Sequence, residues 1–203
     1  MKKRQFLATS LVATASTLAL AATATAKNHS KTAKQVGPHL LTITGSVTHT
    51  NRPPFNAGSD ILMGKHKLNF DKARSFDFAS LASLPSVTIK PTLEYDGKVH
   101  QLSGPRLSEV LSVCGIEKNA DGERFKIALR AIDGYAAVLT LSQIRKLEFI
   151  IATHIDGQPM AIGALGPLWA VFDADRHADV AALPLKERFS QCPWGLYHID
   201  IAT

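Results

Sequence analysis

The sequence predicts an α+β domain built on mixed, mostly antiparallel sheet with short flanking helices. Strand-like runs are numerous and short, helix-like runs are few, and the two do not alternate in the βαβ rhythm of a parallel sheet. Asp-Gly pairs at 133–134 and 156–157 sit between apolar runs, as hairpin turns do. The 203-residue chain shows no repeat and no low-complexity tract, and its length suits one domain.

The N-terminus predicts export. Lys2, Lys3 and Arg4 precede an apolar run over residues 6–22, and Ala24-Thr25-Ala26 supplies a small-x-small cleavage pattern. Residues 1–26 therefore read as a secretory signal peptide cut before Lys27, which implies a periplasmic protein. The run is too rich in Ala and Thr to make a membrane span. Lysine stands where a twin-arginine signal would have its first arginine, which favours export as an unfolded chain. Removing these three basic residues lowers the formal charge from +6 to +3 for residues 27–203. No Lys/Arg block with interleaved aromatics occurs, which argues against nucleic-acid binding.

Residues 27–38 read as a polar, flexible lead-in and 39–203 as the folded domain. "HLLTITGSVTHTN" alternates like a strand, with Leu41, Ile43 and Val47 on the buried side and Gly45 at a bend. Residues 52–67 hold two prolines and two glycines without periodicity and are expected as a long loop, a ligand cover or a partner surface. A short helix over 77–84 is stopped by Pro85, and a strand follows over 87–89. "DGKVHQL" is a turn into a strand, and "RLSEVLSVCGI" an amphipathic helix ended by Gly115. Two strands flank Asp133-Gly134, a helical turn with Ser142 as cap follows, and "FIIATHIDGQPMAI" is strand, turn, strand. "GPLWAVFDADR" bends at Gly166-Pro167, runs through a buried strand and ends in charge. "LYHIDIAT" is the last strand.

Common catalytic signatures are missing. There is no Gly-x-Ser-x-Gly, His-Glu-x-x-His, Cys-x-x-Cys or phosphate loop, and the eight histidines lack metal-ligand spacing. Cys114 and Cys192 either pair as a disulfide or stay as buried free thiols; spacing does not decide.

The ordered series "LLTITGSVTHTN", "FDFASLASLP", "LSGPRLSEVLSVCGI", "RAIDGYAAVLTLSQI", "IIATHIDGQPM", "GPLWAVF" and "CPWGLYHIDI" resembles the small stand-alone members of the molybdopterin-binding oxidoreductase family, the sulfite-oxidase fold. The resemblance covers nearly all of residues 40–203. Catalytic members hold molybdenum through a cysteine thiolate on a loop that corresponds here to "SVTIKPTLEYDGKVHQL", which has no cysteine. The Phe-x-Arg-Asn-His-type stretch of those members is also missing. Neither Cys114 nor Cys192 falls where the family supplies its ligand, so metal-centred catalysis is not expected. The resemblance implies instead a non-catalytic periplasmic protein that binds a neopterin- or monapterin-like pterin. Its pterin status would be relayed to the outer domain of a membrane-bound cyclic-di-GMP diguanylate cyclase/phosphodiesterase. The alternative is a molybdopterin-dependent oxidoreductase domain or subunit.

A pterin is flat and polarisable with a polar rim, so it calls for an aromatic wall and converging hydrogen-bonding groups. Trp169 is the expected stacking wall, with Trp194 a lesser contributor. Asn51 and Arg52 at the start of the long loop, Asp133 and Tyr135 at the turn, and Asp175 and Arg176 past the strand end are the expected polar partners. On this reading Trp169→Ala weakens pterin binding far more than Trp194→Ala and leaves the fold intact.

Overall fold

Alternation in the first strand sets the architecture. In β1 (His39–Gly45), Leu41 and Ile43 turn to the core, and Thr42 and Thr44 take the other face. A computed structural model describes residues 37–203. The signal peptide and nearly all of the lead-in expected before residue 39 lie outside the described residues.

The remaining elements follow in chain order: α1 (Ile61–Lys65), β2 (Ala73–Asp77), α2 (Phe78–Ala82), β3 (Ser86–Ile89), β4 (Leu102–Pro105), α3 (Leu107–Val113), β5 (Lys126–Ala131), β6 (Ala136–Thr140), α4 (Leu141–Lys146), β7 (Ile150–Ala152), β8 (His154–Ile155), β9 (Gln158–Pro159), β10 (Trp169–Val171), α5 (Ala178–Ala181) and β11 (Leu196–Ala202). A five-stranded sheet runs β2-β1-β11-β5-β6, in which only β1 and β11 are parallel. A four-stranded antiparallel sheet, β3-β4-β8-β9, and the pair β10-β7 complete the strands. Among the described residues the fold is thus α+β with mostly antiparallel pairing and short helices.

The main core lies between the large sheet and the remaining layer. Ile127, Leu129, Ile199 and Ile201 from the sheet share this core with Leu107, Val110 and Leu111 from one side of α3. That side follows from i, i+3, i+4 spacing, the period of one helix face. Gly115 stops α3 with φ +99°, and a Cβ there would sit 1.8 Å from Thr48 Oγ1, so no larger residue fits. Gly104 lets β4 approach β7: a Cβ would lie 1.9 Å from the Ile151 carbonyl oxygen.

Three local expectations change. The segment 52–67 contains α1, and its flank packs Phe55, Met63, Leu68 and Phe70 against Ala73 and Tyr197 as a second, smaller core. It therefore folds as part of the domain. The strand β2 was not expected, because "ARSFD" lacks an apolar run. The cap of α4 is Thr140, not Ser142: its hydroxyl accepts from Gln143 N at 3.0 Å while Gln143 Oε1 accepts from Thr140 N at 2.8 Å. This reciprocal capping box needs Thr-x-x-Gln spacing, which residues 140–143 supply.

The non-core face of the large sheet is polar yet buried. Thr44 Oγ1 donates to Asp200 Oδ1 at 2.6 Å, so His198 Nε2 donates to Thr44 Oγ1, at 2.9 Å. Burial, with Arg130, Arg52 and His66 nearby, pushes the His198 imidazole down to about 4, so it is neutral at ordinary pH.

Candidate ligand-binding groove

An open apolar hollow forms beside the loop that joins β3 to β4. The loop folds as a tight hairpin: Leu93 N donates to Lys98 O at 2.8 Å, and Gly97 N to Leu93 O at 3.0 Å. Its base is tied down by two acids from the stretch after β10. Asp173 Oδ2 accepts from Lys90 N at 3.2 Å, and Asp175 Oδ2 accepts from Thr92 N at 2.7 Å. So fixed, the hairpin presents Leu93, Tyr95, Asp96 and His100 to a hollow of about 690 Å³, closed on other sides by Ile155, the turn 163–165 and Trp194. That volume lies in the range of about 300–1,000 Å³ common for small-molecule sites.

A smaller hollow of about 290 Å³ adjoins it, sharing Tyr95 and Trp194. Glu94, Ala131, the Asp133–Tyr135 turn and the segment 189–193 make up the rest. Tyr95 and Trp194 thus stand between the two, 54% and 44% exposed. Burial, then the neighbouring Glu94 carboxylate, pushes the Tyr95 phenol up to about 12, so it stays a hydrogen-bond donor.

The two tryptophans take places opposite to those expected. Trp169 has no exposed surface. Its Nε1 donates to Cys192 O at 2.8 Å, and its ring packs at 6.5 Å from Tyr95 and 5.9 Å from Phe189, centroid to centroid. Ala170 N donates to Pro193 O at 3.2 Å, and Trp169 bridges Trp194 through the backbone. Trp169 therefore supports both aromatic walls from below and cannot stack on a ligand in this arrangement. Trp194 offers the open indole.

Among the other expected residues, Asp133 and Tyr135 do line the smaller hollow. Asn51 does not line either hollow; it pairs with Ser75, donating from Nδ2 to Ser75 O at 2.9 Å and accepting from Ser75 N at 2.7 Å. Arg52 is engaged by Asp60 and Thr42 under the α1 segment. Asp175 acts at one remove, holding Thr92 and Arg188 Nη1, the latter at 2.9 Å. Arg176 is exposed and lies 3.6 Å from Glu148, away from the groove. Cys114 and Cys192 are free, buried thiols in the structure.

Sequence reasoning missed Glu94, Tyr95, Asp96 and His100. The available signal was an aromatic beside an Asp-Gly turn in "LEYDGKVH", flanked by a histidine four residues after the acid. In the structure His100 Nδ1 donates to Asp156 Oδ2 at 2.7 Å and Nε2 to Asp96 Oδ2 at 3.1 Å. Hydrogen bonds to Asp156 and then Asp96 hold the imidazole above its ordinary 6.5, and the same bonds hold both carboxyls below their ordinary 3.8. The histidine's contribution is present below 6.5 and lost as pH rises through its raised value. The carboxylates' contribution is present above 3.8 and lost as pH falls through their lowered values. His100 therefore clips the hairpin to the β8–β9 turn most firmly in mildly acid solution. Ligand affinity is expected to fall as pH rises above 6.5 and through the raised value of His100, and His100→Gln to flatten that profile. A profile unchanged by the substitution would remove the clip from the account.

The residues fit a flat heterocycle better than a thiolate-held metal. Trp194 and Tyr95 supply π-faces, Leu93, Ile155 and Leu165 apolar contact, and Asp96 and Asp133 acceptors for ring or amino N–H groups. Molybdenum held through sulfur needs a thiolate. Burial pushes the Cys114 thiol up to about 12 and raises that of Cys192 as well, and Cys114 sits at the end of α3, outside both hollows. Among the described residues no three His, Cys, Asp or Glu side chains are grouped to hold a metal ion. No protein-family model and no curated protein matches the chain.

Proposed function

We propose that this protein is a periplasmic pterin-binding module of sulfite-oxidase fold that works without a metal. It relays pterin occupancy to the outer domain of a membrane-bound enzyme of cyclic-di-GMP turnover. The observation that carries the reading is the half-exposed Trp194 indole standing over a mainly apolar hollow whose rim holds Asp96 and His100. A pterin stacked on Trp194 would recover dispersion and quadrupole energy, and the rim carboxylate would accept from its amino and ring N–H edge. The hollow is bordered by the segment 93–100, within the stretch where the resemblance puts the metal-ligating cysteine of catalytic relatives. That location supports loss of the metal with retention of the pterin site. Exposed apolar side chains near the groove, Ile162 at 73% and Val99 at 62%, suit a partner that docks over it and senses its contents.

The test begins with protein purified from periplasm. Denaturation should release a pterin in near-equal amount to the protein, identified by fluorescence and mass spectrometry, and the stripped protein should rebind neopterin saturably. Stoichiometric molybdenum with the tricyclic pyranopterin would overturn the binding-module reading in favour of an oxidoreductase. Absence of any pterin together with no rebinding would overturn it outright.

A further inference from the structure

Both charged side chains of the smaller hollow are hydrogen-bond acceptors. Glu94 reaches it from the hairpin and Asp133 from the β5–β6 turn. Asp133 Oδ1 accepts from Tyr135 N at 2.9 Å, which fixes the carboxylate at the hollow. The Tyr135 hydroxyl donates its proton to Ser190 O, leaving its oxygen as an acceptor. No lysine or arginine lines either hollow. His100, the one cationic side chain of the larger hollow, has both N–H groups committed to Asp96 and Asp156. A phosphate brought here would meet carboxylates with no cation to pair with, in partly desolvated surroundings where like-charge repulsion is strong. A chain of neutral hydroxyls would instead find acceptors for its O–H donors.

We infer that the smaller hollow selects the charge of the ligand's side chain, taking a neutral polyhydroxylated chain and excluding a phosphorylated one. The inference rests on the pterin reading, with the ring on Trp194 and the side chain passing Tyr95 into the hollow. It disfavours molybdopterin, whose side chain ends in phosphate.

Three probes test it: unsubstituted pterin, neopterin and neopterin 3′-monophosphate, titrated against the mature protein by quenching of tryptophan fluorescence and by calorimetry. At about 0.02 M NaCl the monophosphate should bind about tenfold or more weakly than neopterin, and the gap should narrow at about 0.5 M, where charges are screened. The double variant Glu94→Gln with Asp133→Asn should narrow the gap at low salt; asparagine keeps the Oδ1 acceptor for the turn. Equal or tighter binding of the monophosphate overturns the inference. So does a gap insensitive to both salt and the double variant, which would assign the exclusion to shape. If unsubstituted pterin binds while these signs fail, the pterin reading stands and the charge selection falls. If none of the three binds, both fall.

Discussion

Trp169→Ala is expected to cost about 3–5 kcal/mol of folding stability, enough to unfold a marginal domain. The indole is wholly buried, and its removal opens a cavity between Tyr95 and Phe189. It also strands the Cys192 carbonyl, whose bond from Nε1 has no substitute in alanine. Urea denaturation of wild type and variant measures the loss directly. Trp169→Phe separates the two parts: it restores most of the volume and forfeits only the hydrogen bond, at about 1–3 kcal/mol. A Trp169→Ala protein less than about 1 kcal/mol weaker than wild type would mean that the ring is not packed as described.

Trp194→Ala carries the opposite signature. Its side chain is half in solvent, so stability should change by no more than about 0.5 kcal/mol. Stacking of a flat heterocycle on one aromatic face is worth about 1–3 kcal/mol, which corresponds to roughly 5- to 150-fold in neopterin affinity. Calorimetric titration checks it, and Trp194→Phe should restore part of the loss because a π-face remains. Unchanged affinity in the alanine variant would remove the proposed wall and, with it, the observation on which the pterin reading rests.

The contrast between these tryptophans marks how far the sequence could be read. Alternation and turn pairs are local, so strands such as β1, β5 and β6 and the hairpin at Asp133-Gly134 were legible. The strand β2 escaped because its pairing with β1 is decided by partners distant in sequence, not by an apolar run of its own. Which tryptophan is buried is likewise a non-local matter: Trp169 lies between Ala152 of β7 and Trp194. Asp175 looked like a charged rim because its local chemistry is charged. Its actual work is to hold Thr92, 83 positions earlier, and so to shape the hairpin that lines the groove. The hairpin's own residues passed unnoticed because "LEYDGKVH" reads as an ordinary turn until Asp156 closes on His100.

The parallel pairing of β1 with β11 has a consequence for the order of assembly. β11 lies at the centre of the five-stranded sheet, between β1 and β5, yet it is contributed by residues 196–202. A ribosome releasing the chain has β1, β2, β5 and β6 available long before the strand that joins them exists. Until then β1–β2 and β5–β6 are two separate hairpin-like pairs, each too small to hold together in water. The five-stranded sheet is therefore incomplete until residues 196–202 are in place.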